Sequence, residues 1–384
     1  MNNFIFHNPV KVFFGKGQIA QIAKEIPQDK TVMLTYGGGS IFKNGVYAQV
    51  SEALKNHKVV EFGGIEPNPR YHTLMKAVEM VKSEKIDFLL AVGGGSVADG
   101  TKFIAAAALY QGDPWDFCSK NVRVQQALPL GVVLTLPATG SEMNGNSVIT
   151  HEALHDKRAF SSPMVYPVFS VMDPQTTYSL PIHQVANGIV DTFVHTTEQY
   201  LTYPAQAPLQ DRFAESILRT LLEEGPKVFR QPNDYDTRAN LMWCSTMALN
   251  GIIGVGVPSD WSTHGIGHML TALHGLDHAV TLAIVLPGVL QVMRAEKKEK
   301  LLQFAARVWN ITEGTEDHRI DKAIELTEEF FNNLGIQTRL KQYNIGLDTV
   351  DVIVKRFSEP SPVRMGERGT ITPEKIREIL LLRL

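Results

Sequence analysis

The segment DFLLAVGGGSVADG, residues 87–100, places an apolar run directly before three glycines and a serine. The apolar run predicts a buried strand, and Ser96 is typical of the residue that opens a helix. Glycines let a backbone approach a phosphate closely, while the N–H groups and dipole at a helix start favour its negative charge. The segment therefore predicts a strand, a turn and a helix that could hold a nucleotide phosphate.

Around this segment, up to about residue 176, short apolar runs alternate with longer helical patterns, which is typical of a parallel sheet covered by helices. The N-terminal residues 1–17 read as an edge strand. The other predicted strands are 31–36, 59–62, 88–92, 131–136 and 168–172. The two clearest helical patterns of this half are 71–83 and 97–110.

After Asp173 and Pro174 the pattern changes to successive amphipathic helices with no strand among them. The clearest are 185–201, 211–224, 238–253, 298–309 and 321–334. We therefore expect an α/β dinucleotide-binding domain over residues 1–177 and an all-helical, metal-binding domain over residues 178–384.

Composition excludes several classes of protein. With 44% hydrophobic and 20% charged residues, the chain of 384 residues has an ordinary globular composition, and its length suggests two domains. A net charge of -3 without a basic cluster gives no support to nucleic-acid binding. The longest apolar run, 281–293, is interrupted by Pro287 and is shorter than the roughly 20 residues that span a membrane. Cys118 and Cys244 form no CxxC pair, and no export signal is visible, so we expect a cytoplasmic protein without disulfides.

Two further turns resemble the first in position. TVMLTYGGGS, residues 31–40, repeats the strand and glycine turn, and TLPATGSE, residues 135–142, follows a third strand. None is a GxGxxG fingerprint, and a single glycine turn can simply be a tight turn. Two such turns on one sheet, joined by a third polar turn, make a nucleotide site an equal alternative to ordinary tight turns. NAD-selective sites place a carboxylate near the ribose, whereas GGGSIFK, residues 37–43, has no acidic residue and offers Ser40 and Lys43 to a phosphate. This predicts a preference for NADP(H).

Histidines are concentrated in the second half of the chain. Asp191 and His195 lie four residues apart in a helical pattern and so share one face. The segment HGIGHMLTALHGLDH, residues 264–278, holds four of the 12 histidines of the chain. Three imidazoles and one carboxylate would suit Zn²⁺ or Fe²⁺, although a cluster of hydrogen-bonded core histidines is the alternative. The HExxH motif of zinc peptidases is absent.

Taken together, these motifs resemble the iron-containing (group III) alcohol dehydrogenase family, and within it the branch of NADPH-dependent aldehyde reductases and butanol dehydrogenases. The matching segments are FGKG (14–17), TYGGGS (35–40), EPNP (66–69), GGGSVADGTKF (93–103), TLPATGSE (135–142), ANGIVDTFVHTTEQY (186–200) and the histidine-rich segment. The resemblance implies a Rossmann-like parallel sheet followed by a helical domain, a dehydroquinate synthase-like architecture, with cofactor and metal in a cleft between the domains.

The resemblance also implies roles for individual residues. The family's metal ligands fall on Asp191, His195, His264 and His278. His268 matches a histidine near the nicotinamide, and His274 matches no ligand and is expected to be structural. The nucleotide contacts fall on Gly37, Gly38, Gly39, Ser40, Asn68, Gly94, Gly95, Ser96, Asp99, Thr135, Thr139, Asn146 and Lys157. Gly37 stands where NAD-specific relatives carry an aspartate, in agreement with the expected NADP(H) preference. Members with this ligand set use iron or zinc.

The expected function is a metal-dependent NADP(H) alcohol dehydrogenase or aldehyde reductase that transfers hydride between NADPH and short- to medium-chain aldehydes polarised by a divalent metal. His268, through water or a ribose hydroxyl, is expected to relay the proton. Relatives are often homodimers, and residues 4–14 could pair with a neighbour. The alternatives are an NAD-linked diol or polyol dehydrogenase, a metallohydrolase without nucleotide, and a protein that only binds its ligands.

Overall fold

The computed structural model describes all residues 1–384 and forms two compact units. The α/β unit contains His7–Pro181 and Gln231–Asn250, and the helical unit contains Met1–Phe6, Ile182–Arg230 and Gly251–Leu384. The chain therefore passes from one unit to the other four times. The expected domains, residues 1–177 and 178–384, stay a prediction.

The α/β unit is built on one parallel sheet of six strands in the order β1-β8-β5-β4-β2-β3, with a separate antiparallel hairpin of β6 and β7. The strands are β1 (Lys11–Phe14), β2 (Thr31–Tyr36), β3 (Lys58–Phe62), β4 (Phe88–Gly94), β5 (Leu130–Leu136), β6 (Asn146–His151), β7 (Asp156–Ser161) and β8 (Phe169–Met172). The helices of this unit are α1 (Ile22–Glu25), α2 (Val46–Ala53), α3 (Tyr71–Glu84), α4 (Gly95–Ala107), α5 (Asp116–Ser119) and α8 (Tyr235–Leu249).

The central strands are apolar along their length because both faces of the sheet are covered by helices. In β4, the residues Phe88–Val92 are buried without alternation, and they pair in parallel with β2 on one side and β5 on the other. The predicted strands are therefore confirmed within a residue or two at each end. The N-terminal edge strand is confirmed only in part, because β1 pairs with β8 over Lys11–Phe14 and residues 4–10 form no strand.

The order of the strands creates a point at which the chain reverses direction across the sheet. From β2 the chain moves outward to β3, then returns to place β4 on the other side of β2, followed by β5 and β8. In open α/β sheets, ligands bind outside the carboxyl ends of the strands at such a reversal. The turns that follow β2 and β4 flank this point, so the topology favours residues 37–40 and 94–96 for binding.

The helical unit consists of α-helices with no strand after β8. Its helices are α6 (Ile182–Tyr200), α7 (Pro208–Glu224), α9 (Ser262–His274), α10 (His278–Val292), α11 (Lys298–Arg307), α12 (Glu316–Asn333), α13 (Leu347–Ser358) and α14 (Pro373–Leu381). α10 is buried along most of its length and packs against α6, α9, α12 and α14, which makes it the centre of the unit. None of the helices combines the length and apolar character needed to cross a bilayer. The predicted α/β and all-helical fold class is confirmed.

Candidate nucleotide turns and metal centre

The turn after β4 requires glycine because it is packed tightly against the turn after β5. A Cβ on Gly95 would lie 2.4 Å from Oγ1 of Thr139, and one on Gly94 would lie 2.9 Å from Cβ of Leu136. A Cβ on Gly93 would lie 2.5 Å from Cγ2 of Val97. Packing alone therefore explains these three glycines, without any ligand, and the turn at 94–96 lies in close contact with Leu136 and Thr139.

Three of the expected nucleotide contacts meet beside this turn. The backbone N–H of Asn68 donates to Oγ of Ser96 over 3.3 Å, and Nζ of Lys157 donates to Oδ1 of Asn68 over 2.8 Å. Asn68 has a positive φ of 55°, which asparagine tolerates better than most residues. The hairpin of β6 and β7 thus brings Lys157 to the start of α4, where its positive charge can meet a phosphate.

Asp99, in contrast, uses its carboxylate inside the protein. Oδ1 accepts from Oγ of Ser141 over 2.5 Å, and Oδ2 accepts from the backbone N–H of Val148 over 3.0 Å. Burial raises the pKa of Asp99, while nearby Lys102 and the Ser141 hydrogen bond lower it in part. In this structure Asp99 joins α4 to the 141 turn and to β6, so its contribution to a nucleotide site would be to hold these segments.

Lys102 is a fully buried cation in the same network, and sequence reasoning did not select it. Its Nζ donates to Oγ of Ser141 at 2.8 Å, to Oδ1 of Asn144 at 3.1 Å and to the carbonyl of Asn146 at 2.8 Å. Burial lowers the pKa of Lys102 to about 8, although the carboxylate of Asp99 opposes this. Asn146, one of the expected nucleotide contacts, therefore accepts a hydrogen bond from Lys102 through its backbone carbonyl.

The remaining expected contacts on this sheet are Thr135 and Thr139. Thr135 is buried near the end of β5, and Thr139 is half-buried in the following turn. Oγ1 of Thr139 accepts from the backbone N–H of Ser141 over 3.2 Å, which shapes the turn. Both residues lie at the carboxyl end of a strand adjacent to β4, as the nucleotide hypothesis requires.

The turn after β2 is more open. Gly39 has a φ of +88°, which favours glycine, and a Cβ on Gly37 would lie 3.3 Å from the carbonyl oxygen of Ile65. Gly38 has neither constraint, because nothing lies within 4 Å of a Cβ built there. Ser40 and Lys43 are exposed beside it. The turn thus offers an accessible backbone, a hydroxyl and a cation.

The metal-centre candidates lie on three helices of the helical unit. Asp191 and His195 are four residues apart on α6, His264 lies in the first turn of α9, and His278 is the first residue of α10. Gly275, with a φ of +68°, ends α9 and lets the chain turn into α10. Tight packing of α10 against α6 and α9 brings the four side chains together.

The three histidine side chains converge on one carboxylate oxygen of Asp191. Oδ1 of Asp191 lies 3.5 Å from Nε2 of His195, 3.9 Å from Nε2 of His264 and 3.8 Å from Nε2 of His278. The ligand atoms of Asp191, His195 and His264 all lie within 4.8 Å of one another. Metal–ligand bonds of about 2.0–2.2 Å in a tetrahedron place ligand atoms roughly 3.3–3.6 Å apart, so the arrangement is close to the size of a divalent-metal site.

Electrostatics and burial also suit a cation here. Asp191, His195 and His264 are buried, and Nε2 of His264 has no hydrogen-bond partner although it is enclosed by protein. Burial lowers the pKa of His264, but the carboxylates of Glu198 and Asp191 outweigh this effect and raise it to about 9. The pocket therefore attracts positive charge, and a nitrogen lone pair without a partner is what a metal ion would occupy.

Two other histidines of this segment are placed differently. The ring of His268 is half-buried, with its centre 5.1 Å from that of His278 and 6.3 Å from that of His264. His274 is exposed, and its Nε2 lies 3.0 Å from Oγ1 of Thr349. His268 therefore borders the metal-centre candidates, whereas His274 makes a surface contact.

Besides Lys102, Glu198 is a residue of this site that sequence reasoning missed. Its carboxylate contacts His264 and the start of α9. A signal for Glu198 was present, because Asp191, His195 and Glu198 are spaced four and three residues apart and so lie on one helix face.

Comparison with known proteins gives the family. The model of the iron-containing alcohol dehydrogenases matches residues 9–174, and that of the C-terminal part of the Fe-containing alcohol dehydrogenase family matches residues 185–381. The NADPH-dependent aldehyde reductase YqhD of Escherichia coli is 56% identical, covering 99% of both chains. A probable NADH-dependent butanol dehydrogenase of Bacillus subtilis is 42% identical, also covering 99% of both.

Solved structures agree. A crystal structure of E. coli YqhD matches with a TM-score of 0.98 and 54% identity, over 100% of this chain and 99% of the other. The structure named as NADH-dependent butanol dehydrogenase A of Thermotoga maritima matches with a TM-score of 0.94 and 38% identity, over 100% and 99%. Since both halves of the chain match, and the sheet and helices superpose on these relatives over their full length, the chain belongs to the iron-containing alcohol dehydrogenase family and is an alcohol dehydrogenase of that family.

Proposed function

We propose that this protein is a metal-dependent NADP(H) aldehyde reductase that acts on short- to medium-chain aldehydes. The observation that carries the proposal is the convergence of three imidazole nitrogens on Oδ1 of Asp191, at 3.5–3.9 Å. Membership of an alcohol dehydrogenase family removes the metallohydrolase alternative for this cluster.

The proposed metal ligands are Asp191, His195, His264 and His278. When bound, a divalent cation would supply Lewis-acid polarisation of the substrate carbonyl, and the reduced nicotinamide would supply the hydride. One carboxylate and three neutral imidazoles leave a net positive charge on such a site. Zn²⁺ and Fe²⁺ both suit this donor set, and the family name favours iron.

The chain's own residues also have to deliver a proton to the oxygen of the reduced product. His268 borders the proposed ligands without being one of them, with its ring centre 5.1 Å from that of His278. We propose that it passes this proton, either through water or through a ribose hydroxyl of the cofactor. A loss of rate in His268→Ala with an altered pH profile would support this role, and an unchanged profile would contradict it.

The proposed nucleotide contacts are the turns at 37–40 and 94–96, with Asn68, Lys157, Thr135 and Thr139. The preference for NADPH cannot be taken from the relatives, because YqhD is named as NADPH-dependent and the B. subtilis protein as probably NADH-dependent. It rests on the absence of a carboxylate at residues 37–43 and on exposed Ser40 and Lys43. Glu61 is the neighbouring acidic side chain, and both its oxygens accept hydrogen bonds from Tyr36 and Tyr47.

The test is a steady-state assay with butanal. Consumption of NADPH should be at least several times more efficient than consumption of NADH, and the activity should disappear on chelation and return with Zn²⁺ or Fe²⁺. Equal kcat/KM values for the two cofactors would refute the cofactor preference. Turnover by protein with no measurable metal would refute the metal mechanism. A higher efficiency on a polyol with NAD⁺ would favour the diol dehydrogenase alternative.

We also propose a homodimer located in the cytoplasm. β1 is an edge strand whose outer side has no strand partner, and Phe14 at its end is 38% exposed, so a second copy could pair there. Neither cysteine forms a disulfide and both are buried, which suits a reducing compartment. Sedimentation at micromolar concentration should give the mass of two chains. The mass of a single chain would refute the dimer.

A further inference from the structure

Glu198 is a buried carboxylate next to the proposed metal ligands, and no role is assigned to it by the proposed function. It lies on α6, three residues after His195 and seven after Asp191, with 3% of its surface exposed. One oxygen, Oε2, contacts Nδ1 of His264, and the other, Oε1, accepts from the backbone N–H of Thr263 over 2.6 Å. A buried carboxylate is costly unless both oxygens are paired, and here both are.

The contact with His264 decides which imidazole nitrogen carries the hydrogen. A carboxylate only accepts, so Nδ1 of His264 must be the donor. The neutral ring then has its lone pair on Nε2, the atom that lies 3.9 Å from Oδ1 of Asp191. An imidazole binds a metal only through an unprotonated nitrogen. Glu198 therefore holds His264 in the tautomer that ligation through Nε2 requires.

Glu198 also joins the two helices that carry three of the proposed ligands. Its backbone carbonyl accepts from the N–H of Asp260 over 2.9 Å, just before α9 begins. Trp261, the residue before α9, makes no capping hydrogen bond with its side chain. Instead, the Glu198 carboxylate accepts a hydrogen bond from the backbone N–H of Thr263 in the first turn. A negative charge at a helix start is favourable. The same side chain thus fixes the position of α9 relative to α6 and the orientation of His264.

We propose, on the basis of the proposed function, that Glu198 is a positioning residue that sets the tautomer and orientation of His264 for metal binding. If Glu198 were only a structural anchor, its replacement would lower the stability of the fold and leave the metal affinity unchanged. A positioning residue predicts a loss of metal affinity that exceeds any change in the metal-free fold, of about 10- to 100-fold for a residue that supports a ligand.

Glu198→Gln separates these two roles. The amide has one acceptor oxygen and one donor group, whereas Thr263 and His264 both offer N–H groups to the native carboxylate. The backbone N–H of Thr263 cannot change its character, so the amide oxygen should stay there and the NH₂ group should face Nδ1 of His264. His264 would then accept at Nδ1 and carry its hydrogen on Nε2, which blocks ligation through that atom. The helix start remains capped.

The matched control is Glu215→Gln. Glu215 is also a buried glutamate of the helical unit, on α7, and its Oε1 accepts from Tyr200, Gln303 and Arg307. None of these three partners is a proposed metal ligand. Replacing it removes a buried charge from the same unit without changing the partner of His264.

The experiment titrates Zn²⁺ into the metal-free full-length wild type, Glu198→Gln and Glu215→Gln against a competing chelator, and measures the unfolding of each metal-free protein. We expect Zn²⁺ affinity about 10- to 100-fold weaker for Glu198→Gln than for the wild type, with Glu215→Gln close to the wild type. Equal Zn²⁺ affinity in Glu198→Gln and wild type, or an equal loss in both variants, would overturn the proposal. Failure of the wild type to bind one Zn²⁺ would instead overturn the proposed metal site.

If Glu198→Gln does not fold, the proton NMR spectrum of the Zn²⁺-loaded wild type tests the tautomer of His264 directly. An imidazole N–H bonded to a buried carboxylate should give a downfield signal protected from exchange with water. Its presence supports the assigned tautomer of His264, and its absence overturns it.

Discussion

Replacing Gly38 with alanine should weaken NADPH binding without harming the fold. Of the glycines in the turns at 37–39 and 93–95, Gly38 alone has neither a positive φ nor an atom within 4 Å of a Cβ built on it. Backbone geometry and packing therefore do not explain this glycine, whereas the close approach of a phosphate would. At such a position, alanine is expected to stabilise the chain by about 0.4–1 kcal/mol because it restricts the unfolded state.

The expected loss of affinity can be worked out from one contact. A hydrogen bond from a backbone N–H to a charged phosphate contributes about 1.5–3 kcal/mol. Since about 1.4 kcal/mol corresponds to a tenfold change, a methyl group that blocks one such bond should raise the Kd for NADPH about 10- to 100-fold. The two effects have opposite signs, and a general disturbance of the turn could not produce both.

The assay combines a fluorescence titration of NADPH with unfolding of the free protein in urea. Gly95→Ala is the control, because its Cβ would lie 2.4 Å from Oγ1 of Thr139 and should weaken both stability and binding. Titration with NADH shows which phosphate is affected, since loss for NADPH alone would assign the turn to the extra phosphate. An unchanged Kd for NADPH in Gly38→Ala would show that no phosphate is held against Gly38.

Three further variants test other parts of the site. The double replacement Ser40→Ala and Lys43→Ala should lower kcat/KM for NADPH about 10- to 100-fold and leave that for NADH nearly unchanged, and an equal loss for both would contradict it. His195→Ala should abolish metal binding and butanal reduction while NADPH affinity is retained, as measured by elemental analysis and titration. The folded-state pKa of Lys102 is lowered from 10.5 to about 8, so between these pH values the unfolded chain holds more protons and stability should rise with pH. The stability of the wild type relative to Lys102→Met should therefore grow from about pH 8 to about pH 10, by at most about 1.4 kcal/mol per pH unit, and a constant difference would contradict this.

The sheet could be predicted because each strand carries a local signal. β2 has the predicted bounds, since TVMLTY is an uninterrupted β-branched and apolar run that ends at glycines. The hairpin of β6 and β7 was not predicted. The strand DKRAFS has three charged residues and no regular alternation, and it is held by pairing with β6 rather than by its own pattern.

The site could be predicted in part for the same reason. The spacing of Asp191 and His195 fixes their common face within one helix, but only the packing of α9 and α10 on α6 shows that His264 and His278 face the same oxygen. Asp99 and Lys102 illustrate the limit. Both lie in a segment whose pattern indicates a nucleotide turn, yet their partners on the 141 turn and on β6 are 39 and 49 residues away, and no local pattern reveals such pairs.

The return of residues 231–250 to the α/β unit affects how the protein can be synthesised and divided. Met242 on α8 packs with Leu134 and Met172 of the sheet, and Thr246 donates to the buried carboxylate of Glu142 over 2.5 Å. During translation, this part of the core cannot close until α8 has left the ribosome, by which time α6 and α7 have already emerged. A fragment ending near residue 177 would expose these apolar side chains and leave Glu142 without this donor. A chimera with a relative therefore has to exchange several chain segments together, because no single junction separates the two units.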